Sequence, residues 1–144
     1  MTESQIEAME GQLLQGTVAW MLGWTNLKLG KGEWADTLFG TPPGETRRSP
    51  VPPYHASVDA CLADVVPWMR EAPRGFEVTI ATNEEAEALP YAVVWFTRRL
   101  GEDEIEVEAR AGGSDFSHTV PAALCRAALL AWIRVAGEGR ECVS

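Results

Sequence analysis

The chemistry-bearing residues that stand out first are Cys125 and Arg126, adjacent in the stretch HTVPAALCRAALLAWIRVA at 118–136. A thiol becomes a nucleophile when a base takes its proton, and the chain holds two histidines, His55 and His118. Only the fold could bring either to Cys125, and a thiol inside an apolar helix reads as buried and inert. Arg126 is more informative. Its helical neighbours Ala122, Ala123, Leu130 and Ile133 are apolar, and a guanidinium among them needs an anion or a carbonyl to meet. Two roles are open to it. It either pairs with a carboxylate such as Asp59, or with a loop carbonyl, and locks the helix in place. Or it holds a ligand anion beside the helix N-terminus, whose free N–H groups also attract negative charge. A ligand site of that second kind would draw on Trp24, Tyr54, His55 and Ser57 as well.

Other constellations are thin. The histidines stand 63 residues apart with no second ligand close to either, so no metal site is expected. Gly112-Gly113-Ser114 is too short to cradle a phosphate and reads as a strand bulge. No catalytic set and no cofactor follow from these residues.

Charge points elsewhere. The chain carries 21 acidic and 12 basic residues, a formal net charge of −9, which weighs against a grip on nucleic acid. Glu104, Glu106 and Glu108 alternate along one strand, after Glu102 and Asp103, and with Glu84, Glu85 and Glu87 they could form an acidic face. Such a face either docks on a basic host protein or serves as a solvated edge that resists sheet-to-sheet association. Arg47 and Arg48 form a basic spot in GTPPGETRRSPVPP, residues 40–53, where five prolines and two glycines predict an exposed loop. That loop is a surface insertion or a recognition loop.

These residues must be positioned by a single domain, since a chain of 144 residues buries roughly 70% of its unfolded surface without staples. Three cysteines without regular spacing fit a reducing compartment. The polar N-terminus MTESQIEAME is no signal peptide, and the apolar run 120–136 is too short for a membrane span, so a cytoplasmic protein is expected. Residues 3–22 read as one helix that ends at Gly23, with Trp20 and Trp24 in the core. Short strands are expected near 25–29 and 34–39, and a second helix begins at or near the cap Ser57 and is kinked or shortened at Pro67. GFEVTIA, YAVVWFTRR and EIEVEAR read as three strands, the middle one apolar on both faces. A last helix follows Thr119, with Pro121 in its first turn. The expected fold class is α+β, a three-layer α-β-α sandwich: a mostly antiparallel sheet of four or so strands with helices on both faces. A helix as apolar all round as the last one needs a further helix or a second subunit to cover it, which makes a homodimer one expectation.

Three segments, VAWMLGW (18–24), PPYHASVDACLADVV (52–66) and HTVPAALCRAALLA (118–131), together resemble the phage ABA sandwich domain family. They are similar to its helix-ending Gly-Trp pair, its Pro-Tyr turn before a helix, and its Thr-x-Pro start with a Cys-Arg-Ala-Ala-Leu core. The chain departs from the family's Ser-Thr-Asp with His55-Ala56-Ser57. The resemblance implies a phage or prophage origin and a layered α/β fold, and carries no biochemical activity. The function expected is a non-catalytic accessory protein that binds a host protein, with the countering of host defence as one setting. The alternative is a protein that sequesters a small anionic ligand, such as a nucleotide, beside the start of the third helix.

Overall fold

The computed structural model describes residues 2–71, 74–83, 91–100, 103–112 and 120–143. The chain is mixed α+β. Helices α1 (Glu3–Ala8) and α2 (Gly11–Leu22) are followed by strand β1 (Thr25–Leu29), a 3₁₀ turn (Gly32–Trp34), β2 (Leu38–Thr41) and the short β3 (Ser49–Pro50). Helix α3 (Val58–Ala60), a π-helical turn (Cys61–Val65) and α4 (Val66–Arg70) form one continuous rod. Strands β4 (Glu77–Asn83), β5 (Tyr91–Leu100) and β6 (Asp103–Gly112) then lead to α5 (Val120–Val143).

Two three-stranded antiparallel sheets, β1-β2-β3 and β4-β5-β6, replace the expected single sheet of four or so strands. The cause is local. β3 is only two residues long: Val51 N–H beyond it still donates to the Leu38 carbonyl at 2.9 Å, but Pro52 and Pro53 have no N–H groups to carry the ladder on. The loop expected over 40–53 is therefore partly edge strand, and Val51 beyond it is buried.

Helix α5 explains its own composition. Its residues from Pro121 to Ala131 are all buried. It packs against β5 and β6, and also against α1, α2 and the π turn. Arg134 ties the two sides together, donating to the Glu106 carbonyl at 3.1 Å and pairing with Glu3 at 2.9 Å. Over residues 121–131 the apolar circumference that called for a further helix or a second subunit is thus covered within the chain. Phe96 and Val107 are cross-strand partners buried beneath α5, whereas Glu77, Thr79 and Glu106 lie exposed. Among the described residues, helices cover one face of β4-β5-β6, not both. Trp95 on β5, expected to be covered, is only half-buried because no helix lies over it among those residues.

The helix expected over 3–22 is broken at Met9 and Glu10. Met9 leaves the helical region (φ −70°, ψ 137°), and its carbonyl accepts from Arg126 of α5. That tertiary bond opposes continuation of the helix. The second helix accommodates Pro67 without stopping. Val66 N–H bonds back to Cys61 in a π turn, and this wider turn just ahead of the proline lets the rod run on to Arg70. The caps at Gly23 (φ +102°) and Ser57 form as expected, and Trp24 N–H reaches back to the Ala19 carbonyl at 3.0 Å. The readings of Thr119, His118, Gly113-Ser114 and the acids at 84–87 and 102 lie outside the described residues.

Candidate functional site

The three segments that carry the family resemblance meet in one buried knot. Tyr54 is fully buried, and its hydroxyl donates to Asp64 Oδ2 at 2.6 Å. Burial first, then that bond to a carboxylate, push the phenol well above its ordinary range, while the Trp24 indole donates to its oxygen and opposes the shift. Its carbonyl faces two thiols, Cys61 Sγ at 3.0 Å and Cys125 Sγ at 3.1 Å, and the two sulfurs lie 3.8 Å apart. The hydrogen bond to Cys61 and burial raise the Cys125 thiol well above its usual value, and Arg126 opposes this only weakly. A neutral thiol with no water around it is a poor nucleophile. Among the described residues the side chain beside the Cys125 sulfur is a second thiol, Cys61, and His118 lies outside them.

Arg126 meets a carbonyl. Its guanidinium, 5% exposed, donates to the Met9 carbonyl through Nε at 3.0 Å and Nη2 at 2.7 Å. That carbonyl stands at the end of α1. Of the residues expected beside it in a ligand site, Trp24 and Tyr54 are core and Ser57 caps α3 through the Ala60 N–H at 3.2 Å. His55 is half-buried, and burial lowers its pKa. Its Nδ1 finds no hydrogen-bond partner among the described residues. Arg126, Trp24, Tyr54 and Ser57 thus each make contacts within the fold. Of the acids on β6, Glu106 stands exposed, while the side chains of Glu104 and Glu108 lie outside the described set. Arg47 and Arg48 are exposed on the loop as expected.

Two open surfaces escaped the sequence reading. The first is the outward face of α2. Leu14, Val18, Ala19 and Leu22 turn inward, and Leu13 and Trp20 turn to solvent, 64% and 56% exposed. Trp20 was expected in the core. Its ring instead stands at the surface, edge-on to Trp132 of α5 at 5.3 Å. Leu13, Gly16, Thr17, Trp20 and Leu27 line a shallow groove. The i, i+3, i+4, i+7 spacing of the α2 residues was visible in sequence, but α2 is apolar on two faces, and only packing decides which is left out.

The second surface is a cleft of about 680 Å³ where β1, the 3₁₀ turn and the Pro-rich loop meet. It is lined by Lys28, Lys31, Arg48, Trp34 and Phe39. Lys28 and Phe39 are cross-strand partners, so both project from one face of the sheet. Arg48 arrives because Ser49 and Pro50 pair with Gly40 and Phe39, and its guanidinium lies 5.9 Å from the Phe39 ring centre. Gly30 makes the turn possible. A Cβ there would lie 2.4 Å from the Trp34 carbonyl oxygen and 2.9 Å from the Phe39 ring.

Among the described residues, no group of three or more His, Cys, Asp or Glu side chains could hold a metal ion. No helix among them is long and apolar enough to cross a membrane. Neither protein-family models, nor curated proteins, nor solved structures contain a match to this chain.

Proposed function

We propose that this is a small, non-catalytic binding protein that engages a protein partner through the outward face of α2. The observation that carries the reading is that face. Two large apolar side chains, Leu13 and Trp20, are held in water on either side of the dip at Gly16 and Thr17. Contiguous apolar side chains in such a position mark a contact surface. Residues 1–27 contain Glu3, Glu7 and Glu10 and no Lys or Arg, so the fitting partner presents an apolar side chain from a basic surface. Glu106, with Glu104 and Glu108 on the same strand, would add a second acidic contact.

The motif segments at 18–24, 52–66 and 118–131 support placing the protein among phage or prophage accessory proteins, with a host protein in the host cytoplasm as partner and counter-defence as its setting. The three-layer α-β-α sandwich of that family goes with this proposal, and the outer face of β4-β5-β6 is where its second helical layer would rest. The test is photo-crosslinking in a bacterial host. A benzoyl-phenylalanine in place of Leu13 is expected to give one dominant protein adduct that the same residue at exposed Ala63 does not give. Identical adduct patterns from the two positions would contradict the reading.

A further inference from the structure

We infer that the cleft between β1, the 3₁₀ turn and the Pro-rich loop binds a nucleotide, with its base against Trp34 and its phosphates among Lys28, Lys31 and Arg48. The inference does not depend on the α2 docking face, with which the cleft shares no lining residue.

Three observations carry it. The first is charge. In a chain of net charge −9, three cations line one cleft, Lys28 and Lys31 from β1 and the turn after it and Arg48 from the Pro-rich loop. Among the described residues no carboxylate comes within ion-pair distance of any of them, although Arg70, Arg74 and Arg134 each find one. Three unneutralised cations facing one space repel each other, and a polyanion in that space relieves the repulsion.

The second observation is the aromatic pair. Trp34 is 54% exposed, and its ring is edge-on to Phe39 at 6.1 Å. An indole standing half in water offers a free π-face for a planar ring.

The third is rigidity. The turn that carries Trp34 is closed by Gly30 N–H to the Thr37 carbonyl at 2.9 Å, Trp34 N–H to Lys31 at 3.1 Å and Thr37 N–H to Trp34 at 3.0 Å. With Gly30 beneath it, the indole is presented before any ligand arrives, which removes an ordering cost from binding.

The volume suits a small molecule. A ligand with several negative charges next to a planar ring satisfies both halves of the lining. The ring-and-phosphate unit occurs in free nucleotides and in single-stranded nucleic acid. The acidity of the rest of the chain disfavours a strand that must continue past the cleft, and so points to the free nucleotide.

The test is calorimetric titration of the full chain in 150 mM salt with four probes: ATP, adenosine, inorganic tripolyphosphate and a single-stranded thymidine octamer. ATP is expected to bind with one-to-one saturation, and adenosine and tripolyphosphate each about tenfold more weakly, since each keeps half of the contacts. Trp34→Ala and Arg48→Ala should each lower ATP affinity about tenfold while the urea midpoint stays unchanged. Lys31→Glu, an exposed change, repeats the measurement should Trp34→Ala shift the midpoint. Tripolyphosphate binding as tightly as ATP would reduce the site to a bare charge patch and overturn the inference. So would an octamer that binds more tightly than ATP, unchanged affinity in the variants, or no saturable heat with millimolar ATP.

Discussion

The knot around Tyr54 and the rim around Trp34 use similar residue types to opposite ends. Both hold aromatic rings and at least one arginine. In the knot Arg126 is met by the Met9 carbonyl, the Tyr54 hydroxyl by Asp64, and the two thiols by the Tyr54 carbonyl. On the rim Lys28, Lys31 and Arg48 meet no carboxylate among the described residues, and Trp34 stands half in water. A satisfied polar group buried in a core contributes to stability. An unsatisfied one at the surface is available to something else. Cys125 and Arg126, which stand out most in the sequence, belong to the first kind, and Lys28, Lys31 and Trp34, which do not, belong to the second.

Substitutions separate the two regions. The largest effect is expected from Arg126→Ala, which strips two charged hydrogen bonds from a buried carbonyl and should cost about 3 kcal/mol. Arg126→Lys should recover only part of this, because one ammonium does not reproduce the fork on Met9. Next comes Gly30→Ala. The added methyl would press on the Trp34 carbonyl, so about 2 kcal/mol of stability should be lost along with the set of the 3₁₀ turn, visible as a changed near-ultraviolet tryptophan signal. Tyr54→Phe should cost about 1.5 kcal/mol: the Asp64 side is open to water, but the buried Trp24 indole loses its acceptor.

His55 gives a smaller, pH-dependent effect. Burial lowers its pKa in the folded chain, so below the unfolded value of about 6.5 the unfolded state binds more protons. Stability should therefore fall as pH drops from 7 toward the depressed folded pKa, and His55→Gln should flatten that part of the pH profile of urea midpoints. Smallest is Trp34→Ala, expected within about 0.5 kcal/mol of the parent despite the size of the side chain.

The sequence made legible whatever is decided within a few residues. Gly23 ends α2 because a left-handed residue is needed there, Ser57 caps α3 by reaching Ala60, and Val107 alternates inward beside an exposed Glu106. Features set by distant partners were not legible. The break at Met9 depends on an arginine 117 residues away. The choice between Trp20 and Trp24 as the buried ring depends on where α2 lands, since both lie on an apolar helix end. The cleft escaped because Lys28, Lys31 and Trp34 lie in short segments without periodicity, and Arg48 joins them only through pairing of Ser49 and Pro50 with β2. At Arg126 the sequence required an acceptor for a buried guanidinium and left its identity open. A backbone carbonyl supplied it.

Urea denaturation of Arg126→Ala and Trp34→Ala, followed side by side by far-ultraviolet circular dichroism, tests this division of labour most directly. The account predicts a loss of about 3 kcal/mol for Arg126→Ala and less than about 0.5 kcal/mol for Trp34→Ala. Comparable losses, or a larger one for Trp34→Ala, would mean that the rim holds the fold together and would contradict it.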